Sequence, residues 1–154
     1  SGKEFIFIDT AGIRKKYKKS GKIEYFSFIR AMHSASESDI VLFICDANEG
    51  LVDQDLKIIN MVSEIGKPIV IAFNKIDLLS KNKIKELLDS REVKSKLVEN
   101  YLCLTMSGKN KMGFKKLFYS INRVLMKSQK KYSTSSLNNS RKNISIESVE
   151  PLTL

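Results

Sequence analysis

The sequence has few of the residues that build disulfide frameworks or metal centres. It has two cysteines, two prolines, one histidine and no tryptophan among 154 residues. Cys45 and Cys103 lie far apart inside apolar runs, which predicts two buried thiols in a reducing compartment. No stretch approaches the roughly 20 apolar residues needed to cross a bilayer, and no charged-then-apolar leader opens the chain. We therefore expect a soluble, cytoplasmic protein in which lone His33 is a surface or capping group and not a catalyst.

Negative charge is scarce. The chain has 27 Lys and Arg against 17 Asp and Glu, for a net charge of +10. Such an excess favours a polyanionic partner, either nucleic acid or nucleotide phosphate. AT-biased coding, which fills surfaces with lysine, explains it equally well, because the lysines are spread along the sequence. Charge alone leaves both interpretations open.

Short apolar runs alternate with longer helical periods. Strands are predicted at 5–8, 40–45, 68–73 and 101–106, and helices from 23 to about 35, around 58–65, from 78 to about 100 and around 114–125. This β-α-β-α-β-α-β-α order predicts an α/β fold, a mostly parallel sheet with helices on both faces. In such folds the chemistry lies on the loops that leave the carboxyl ends of the strands.

Asn74-Lys75-Ile76-Asp77 directly follows the third apolar run. A carboxylate in the plane of a base can accept from both N1–H and the exocyclic amine of guanine, a donor pair that adenine lacks. Asp77 would therefore select the base, Asn74 would brace the loop and reach the ring edge, and the stem of Lys75 would cover the ring face.

Two further elements stand at compatible places. Asp9-Thr10-Ala11-Gly12 closes the first apolar run, where an aspartate suits Mg²⁺ through a water and a glycine brings its N–H against a terminal phosphate. Ser107-Gly108-Lys109 follows the last predicted strand, where backbone N–H groups could donate to guanine O6 and the lysine stem could cover the second face of the base.

Together these elements resemble the third, fourth and fifth motifs of a P-loop GTPase. More specific matches resemble the second G domain of the double-G-domain ribosome-assembly GTPases of bacteria, the Der or EngA family. They are residues 8–16, Ile23-Glu24-Tyr25-Phe26-Ser27 with Arg30, and Asp46-Ala47-Asn48-Glu49-Gly50 with Gln54-Asp55. The resemblance runs to about Asn138, and the fifth motif departs from the usual S-A-K at Gly108.

The phosphate-cradling pattern G-x-x-x-x-G-K-S/T does not occur in the chain, because every Gly-Lys pair is followed by another residue type. The resemblance implies that this loop and its strand lie in the middle of the sheet, beside residues 5–8 and the strand ending at Asp46. We therefore expect a partial G domain over 1–128, with 129–154 forming a basic Ser- and Asn-rich linker and the start of a KH-like domain, and weak or no GTP binding by this chain alone.

The family resemblance implies Mg²⁺-dependent attack of water on the γ-phosphate of GTP, with K⁺ as a possible second ion. Asp9 would serve the Mg²⁺ ion and Gly12 would sense the γ-phosphate. Ile13 occupies the position of the water-orienting glutamine of Ras-like enzymes and cannot orient water, so no catalytic base is assigned. The basic stretch 14–19 is either an RNA contact or a solvated charge run.

Two functions from different classes follow. The first is GTPase activity in assembly of the large ribosomal subunit, with rRNA bound through a KH-like domain and basic surfaces. The alternative is a degenerate G-domain remnant that binds RNA or the ribosome without nucleotide, and a related GTPase of the Era or TrmE type is a third possibility. The coding sequence upstream of Ser1 discriminates them, because a G-x-x-x-x-G-K-S/T within roughly 60 residues is typical of a GTPase.

Overall fold

The computed structural model of the chain describes residues 4–10, 21–95 and 97–131, without the side chains of 21–25, 27 and 129–131. The order of elements in these residues is helix, strand, helix, strand, helix, strand, helix. They are α1 Gly21–Glu37, β1 Val41–Asp46, α2 Asp53–Glu64, β2 Ile69–Asn74, α3 Lys81–Leu88, β3 Leu102–Thr105 and α4 Phe114–Lys131, with a 3₁₀ turn at Ile76–Leu78.

The described strands form one parallel sheet in the order β1-β2-β3. The central strand β2 is buried along Ile69–Phe73, which is why this stretch is a continuous apolar run without the alternation of a half-exposed strand. In register, Asp46 at the end of β1 lies opposite Asn74 at the end of β2, and Phe73 lies opposite Thr105 of β3. The carboxyl ends of the three strands therefore meet at one edge.

Side chains that alternate along the strands divide between two apolar cores. Ile69, Ile71 and Phe73 face the side covered by α1, α2 and the segment before β3. Val70 and Ala72 face the opposite side, where Leu117 and Ile121 of α4 cover them. Helices thus lie on both faces of a parallel sheet, as the sequence predicts.

The predicted strand at residues 5–8 is wrong. Residues 4–10 contain no strand, and Ile6, Phe7 and Ile8 are 92%, 60% and 59% exposed. A strand needs a neighbour that takes up its backbone groups, and none of the described strands pairs with this segment. Phe5 and Phe7 instead contact Phe118 of α4, with ring centroids 5.7 and 6.2 Å away.

The region 78–100 is less helical than predicted. Its described α-helix is only α3, which begins after Ser80, whose hydroxyl accepts from the N–H of Lys83, and most of 90–100 forms turns. The turns anchor to the core through buried Val98. The predicted helix over 78–100 is therefore confirmed only at α3.

The remaining elements agree with their predicted positions to within a few residues. Cys45 is buried and Cys103 is partly buried, and neither forms a disulfide. Burial raises the pKa of the Cys103 thiol to about 11. His33 is exposed in α1, and no described helix is long and apolar enough to cross a membrane.

Candidate guanine-binding site

The N-K-I-D and S-G-K motifs are neighbours because they leave adjacent parallel strands. Residues 74–77 start at the last residue of β2 and residues 107–109 come after β3, and these two segments are named the base-site loops here. The N–H of Met106 donates to the carbonyl of Phe73 at 2.8 Å, and the N–H of Ile76 donates to the carbonyl of Met106 at 3.3 Å. The parallel ladder thus continues past the strand ends and sets the distance between the loops.

Asn74 joins the two loops through one side-chain oxygen. Its Oδ1 accepts from the N–H of Gly108 at 2.9 Å and from the N–H of Lys75 at 2.8 Å. The second bond accompanies a left-handed backbone at Lys75, with φ of 67°. A non-glycine residue in this conformation costs about 1–2 kcal/mol, and such strain clusters at functional sites.

Asp77 is fixed by a side chain from the other loop. The hydroxyl of Ser107 donates to Asp77 Oδ1 at 2.5 Å and accepts from the N–H of Asn110 at 3.1 Å. Ser107 is fully buried, while Asp77 is partly exposed. The carboxylate is therefore held in one orientation with access to solvent, as an edge-on contact to a base requires.

Sequence reasoning missed the role of the Ser107 hydroxyl, because it considered only backbone donors at this position. The backbone of Ser107 pairs twice with that of Met112, at 3.1 and 3.0 Å, and the N–H of Gly108 is taken by Asn74. Within the described residues, the N–H of Lys109 is the backbone donor of S-G-K that has no acceptor.

Lys75 does not extend freely from the loop. Its Nζ lies 2.8 Å from Asp46 Oδ2, and Asp46 Oδ1 accepts from the N–H of Asn48 at 2.9 Å. The hydrogen bond and charge of Asp46 raise the pKa of Lys75 above its ordinary value, so the lysine is fully charged at neutral pH. Asp46 is a second residue that sequence reasoning did not place in the site, although its position at a strand end next to Asn74 is a usable indication.

Of the motif Asp9-Thr10-Ala11-Gly12, the structure describes Asp9 and Thr10. Asp9 and Thr10 are exposed, and neither forms a hydrogen bond or ion pair with the base-site loops in the part of the chain that the structure describes. Ala11, Gly12 and Ile13 lie outside the described residues, as does the basic stretch 14–19. Among the described residues no group of three or more His, Cys, Asp or Glu could hold a metal ion. The assignment of Asp9 to Mg²⁺ through a water therefore stays a prediction.

Comparison with known proteins identifies the domain. Residues 2–127 match the elongation factor Tu GTP binding domain. The chain belongs to this family. It is 35% identical over 137 residues to the GTPase Der of Hamiltonella defensa, covering 89% of this chain and 28% of that protein. It is 37% identical over 139 residues to the GTPase Der of Agathobacter rectalis, covering 89% and 32%. The chain thus spans about a third of the length of these curated relatives.

A solved structure supports the same family assignment. Era in complex with MgGDPNP and nucleotides 1506–1542 of 16S ribosomal RNA aligns with a TM-score of 0.60 and 25% identity, over 71% of this chain and 36% of that one. The P-loop-GTPase type of fold and the resemblance to the Der family, both predicted from motifs, are confirmed.

Proposed function

We propose that this chain reads the guanine base in a GTPase that acts in assembly of the large ribosomal subunit in the cytoplasm. The observation that carries the proposal is the pair of contacts between the base-site loops, Ser107 to Asp77 and Gly108 to Asn74. These contacts tie the carboxylate of Asp77 and the amide of Asn74 to the same neighbouring loop. Preorganised acceptors of this kind discriminate bases strongly, because a wrong base leaves them unpaired.

Each motif residue has a proposed role toward GTP or GDP. Asp77 accepts from N1–H and the exocyclic amine, and the N–H of Lys109 donates to O6. The stems of Lys75 and Lys109 cover the two faces of the base, with Lys75 held by Asp46, while Ile76 continues the loop. These assignments rest on chemistry and on the geometry of the described loops.

The phosphate side of the site is proposed from the family alone. Asp9, Thr10, Ala11, Gly12 and Ile13 would approach the phosphates. The bound nucleotide of Era is MgGDPNP, which favours Mg²⁺ as an ion of this site as well, with Asp9 contributing through a water, and K⁺ remains a possible second ion. Bound Mg²⁺ would supply charge stabilisation at the phosphates, and no residue described here would act as a general base.

Ribosomal RNA is the proposed partner of the full-length protein. Relatives that share the domain are GTPase Der proteins, and the Era structure contains 16S ribosomal RNA. Because the chain spans about a third of its curated relatives and contains no G-x-x-x-x-G-K-S/T, we expect tight nucleotide binding only in the full-length protein.

The substitution Asp77→Asn in the full-length protein tests base selection. An asparagine amide offers one donor and one acceptor, which suits the C2 carbonyl and N1–H of xanthine better than the two donors of guanine. GDP affinity should fall at least about 100-fold, since two hydrogen bonds to a charged group are lost, while XDP affinity rises. Isothermal titration calorimetry with GDP and XDP measures both.

Asp89→Asn is the matched control, because Asp89 is an exposed aspartate at the end of α3. It should leave the GDP to XDP preference unchanged. An unaltered preference in Asp77→Asn would contradict the proposal. Micromolar GTP affinity for the chain of 154 residues alone would contradict the expectation that the rest of the protein is needed.

A further inference from the structure

The net positive charge of the chain comes from one segment. Residues 101–146 contain ten Lys and Arg and no Asp or Glu, whereas the rest of the chain contains 17 of each. The net charge of +10 therefore belongs to this segment, even though lysines occur throughout the sequence. Enrichment in lysine by coding bias adds cations everywhere and does not remove acids from one stretch. Charge asymmetry of this kind indicates a polyanion-binding surface.

The structure places much of this charge on one side of a single helix. In α4, Leu117, Ser120 and Ile121 are buried against the sheet. The opposite side is exposed, and Tyr119 and Met126 on it are 67% and 54% exposed. This side is named the basic face, and its residues are Lys115, Lys116, Tyr119, Arg123, Met126 and Lys127.

The cations of the basic face are available to a partner. Spacings of seven and four residues put Lys116, Arg123 and Lys127 in one row along the helix, with Tyr119 beside it. Both ion pairs that the structure gives for the described residues, Lys75 with Asp46 and Lys94 with Asp89, lie elsewhere. No described carboxylate neutralises the row.

We propose that the basic face of α4 binds RNA, with Lys116, Arg123 and Lys127 on phosphates and Tyr119 stacked on an unpaired base. The exposed aromatic ring among cations favours RNA, because bases stack on such rings. Binding to an anionic membrane is disfavoured for a different reason, because a helix that inserts at a bilayer surface needs a free apolar face. The apolar face of α4 is already buried in the core. The proposal rests on the ribosomal role given above only for the source of the RNA.

RNA binding can be measured without nucleotide. A negative result would therefore contradict this proposal without contradicting the proposed selection of guanine. The probe is a fluorescein-labelled single-stranded RNA of about 20 nucleotides, long enough to span the face, titrated with the full chain and followed by anisotropy. The variant K116Q/R123Q/K127Q is compared with K81Q/K83Q/K85Q, which removes the same charge from exposed lysines of α3.

The α4 variant should lose about tenfold or more in affinity, and the slope of log affinity against log salt should fall by about 2, because three phosphate contacts disappear. The α3 variant should change affinity less than about threefold, as expected when only long-range attraction is reduced. Tyr119→Ser should lose about fivefold or more, whereas Tyr119→Phe should keep the affinity because it keeps the ring.

Three results would overturn the proposal. They are equal losses in the α3 and α4 variants, no loss in either, and α4-dependent binding to phosphatidylserine vesicles without binding to RNA. Circular dichroism and thermal unfolding establish that each variant folds. Ultraviolet crosslinking of the unaltered chain to the same RNA gives an independent result, since the crosslinked peptide should contain Tyr119, and a crosslink confined to other peptides would count against the basic face.

Discussion

The base-site loops and the segment 4–10 both contain residues of GTPase motifs, yet they differ in the number of contacts that hold them to the rest of the described structure. The loops are tied by side-chain bonds from Asn74 and Ser107 and by backbone bonds between β2 and β3. Residues 4–10 are largely exposed, form no strand and contact α4 through Phe5 and Phe7. The difference teaches that the proposed base site is built on two strands that are consecutive in sequence and neighbours in the sheet, whereas no described strand pairs with residues 4–10.

Gly113→Ala should most strongly destabilise the connection between β3 and α4, which contains the base-site residues 107–109. Gly113 has φ of +83°, and a Cβ there would lie 2.7 Å from the carbonyl oxygen of Thr105 at the end of β3. The left-handed backbone and the clash together should lower the free energy of unfolding by about 3 kcal/mol. Urea denaturation followed by circular dichroism measures the loss.

Gly108→Ala is the control in the same loop. Its φ is not in the left-handed region, and a Cβ would meet only the amide of Asn74, at 3.6 Å and beyond. This change also restores the alanine usual in S-A-K, and it should be neutral or stabilise by about 0.5 kcal/mol by restricting the unfolded chain. Similar losses in the two variants would show that the loop geometry described here is wrong.

Ser107→Ala keeps Asp77 but removes the side-chain hydrogen bond that orients its carboxylate. The carboxylate loses its donor and the N–H of Asn110 loses its acceptor. GDP affinity of the full-length protein should fall by about 2 kcal/mol, which is roughly 30-fold, the scale of a hydrogen bond to a charged group. Calorimetry with GDP measures the loss.

Ser120→Ala is the matched control, because Ser120 is equally buried but lies in α4, away from the loops. It should change stability without changing the affinity for GDP. Equal GDP affinities in Ser107→Ala and the unaltered protein would show that Ser107 does not position Asp77.

Elements that depend on the local pattern of apolar residues could be predicted from the sequence. The continuous apolar run at 68–73 predicts β2, and the spacing of Leu117 and Ile121 predicts the buried side of α4. Residues 5–8 have the same apolar character, but a strand also depends on its neighbour, which local pattern does not contain. The contact of Ser107 with Asp77 spans 30 residues and arises from strand register, so it could not be predicted from either motif alone.

Asp46→Asn should have the smallest effect, and it tests whether the ordered loops extend to β1. Asp46 holds Lys75 at 2.8 Å, and Asp89 holds Lys94 at the same distance on the surface. The interaction that raises the pKa of Lys75 stabilises the fold below the ordinary pKa of lysine and is lost only as the pH rises through the raised value, so it is constant at neutral pH. If Asp46 positions Lys75 against the base, Asp46→Asn should lower GDP affinity by up to about fivefold, the scale of an exposed ion pair, and the loss should be equal at pH 6.5 and 8.5.

Asp89→Asn is the control for this prediction, because it removes an ion pair of equal length and should leave GDP affinity unchanged. Equal effects of the two substitutions on GDP affinity would mean that Asp46 acts only through net charge and that the ordered site ends at β2.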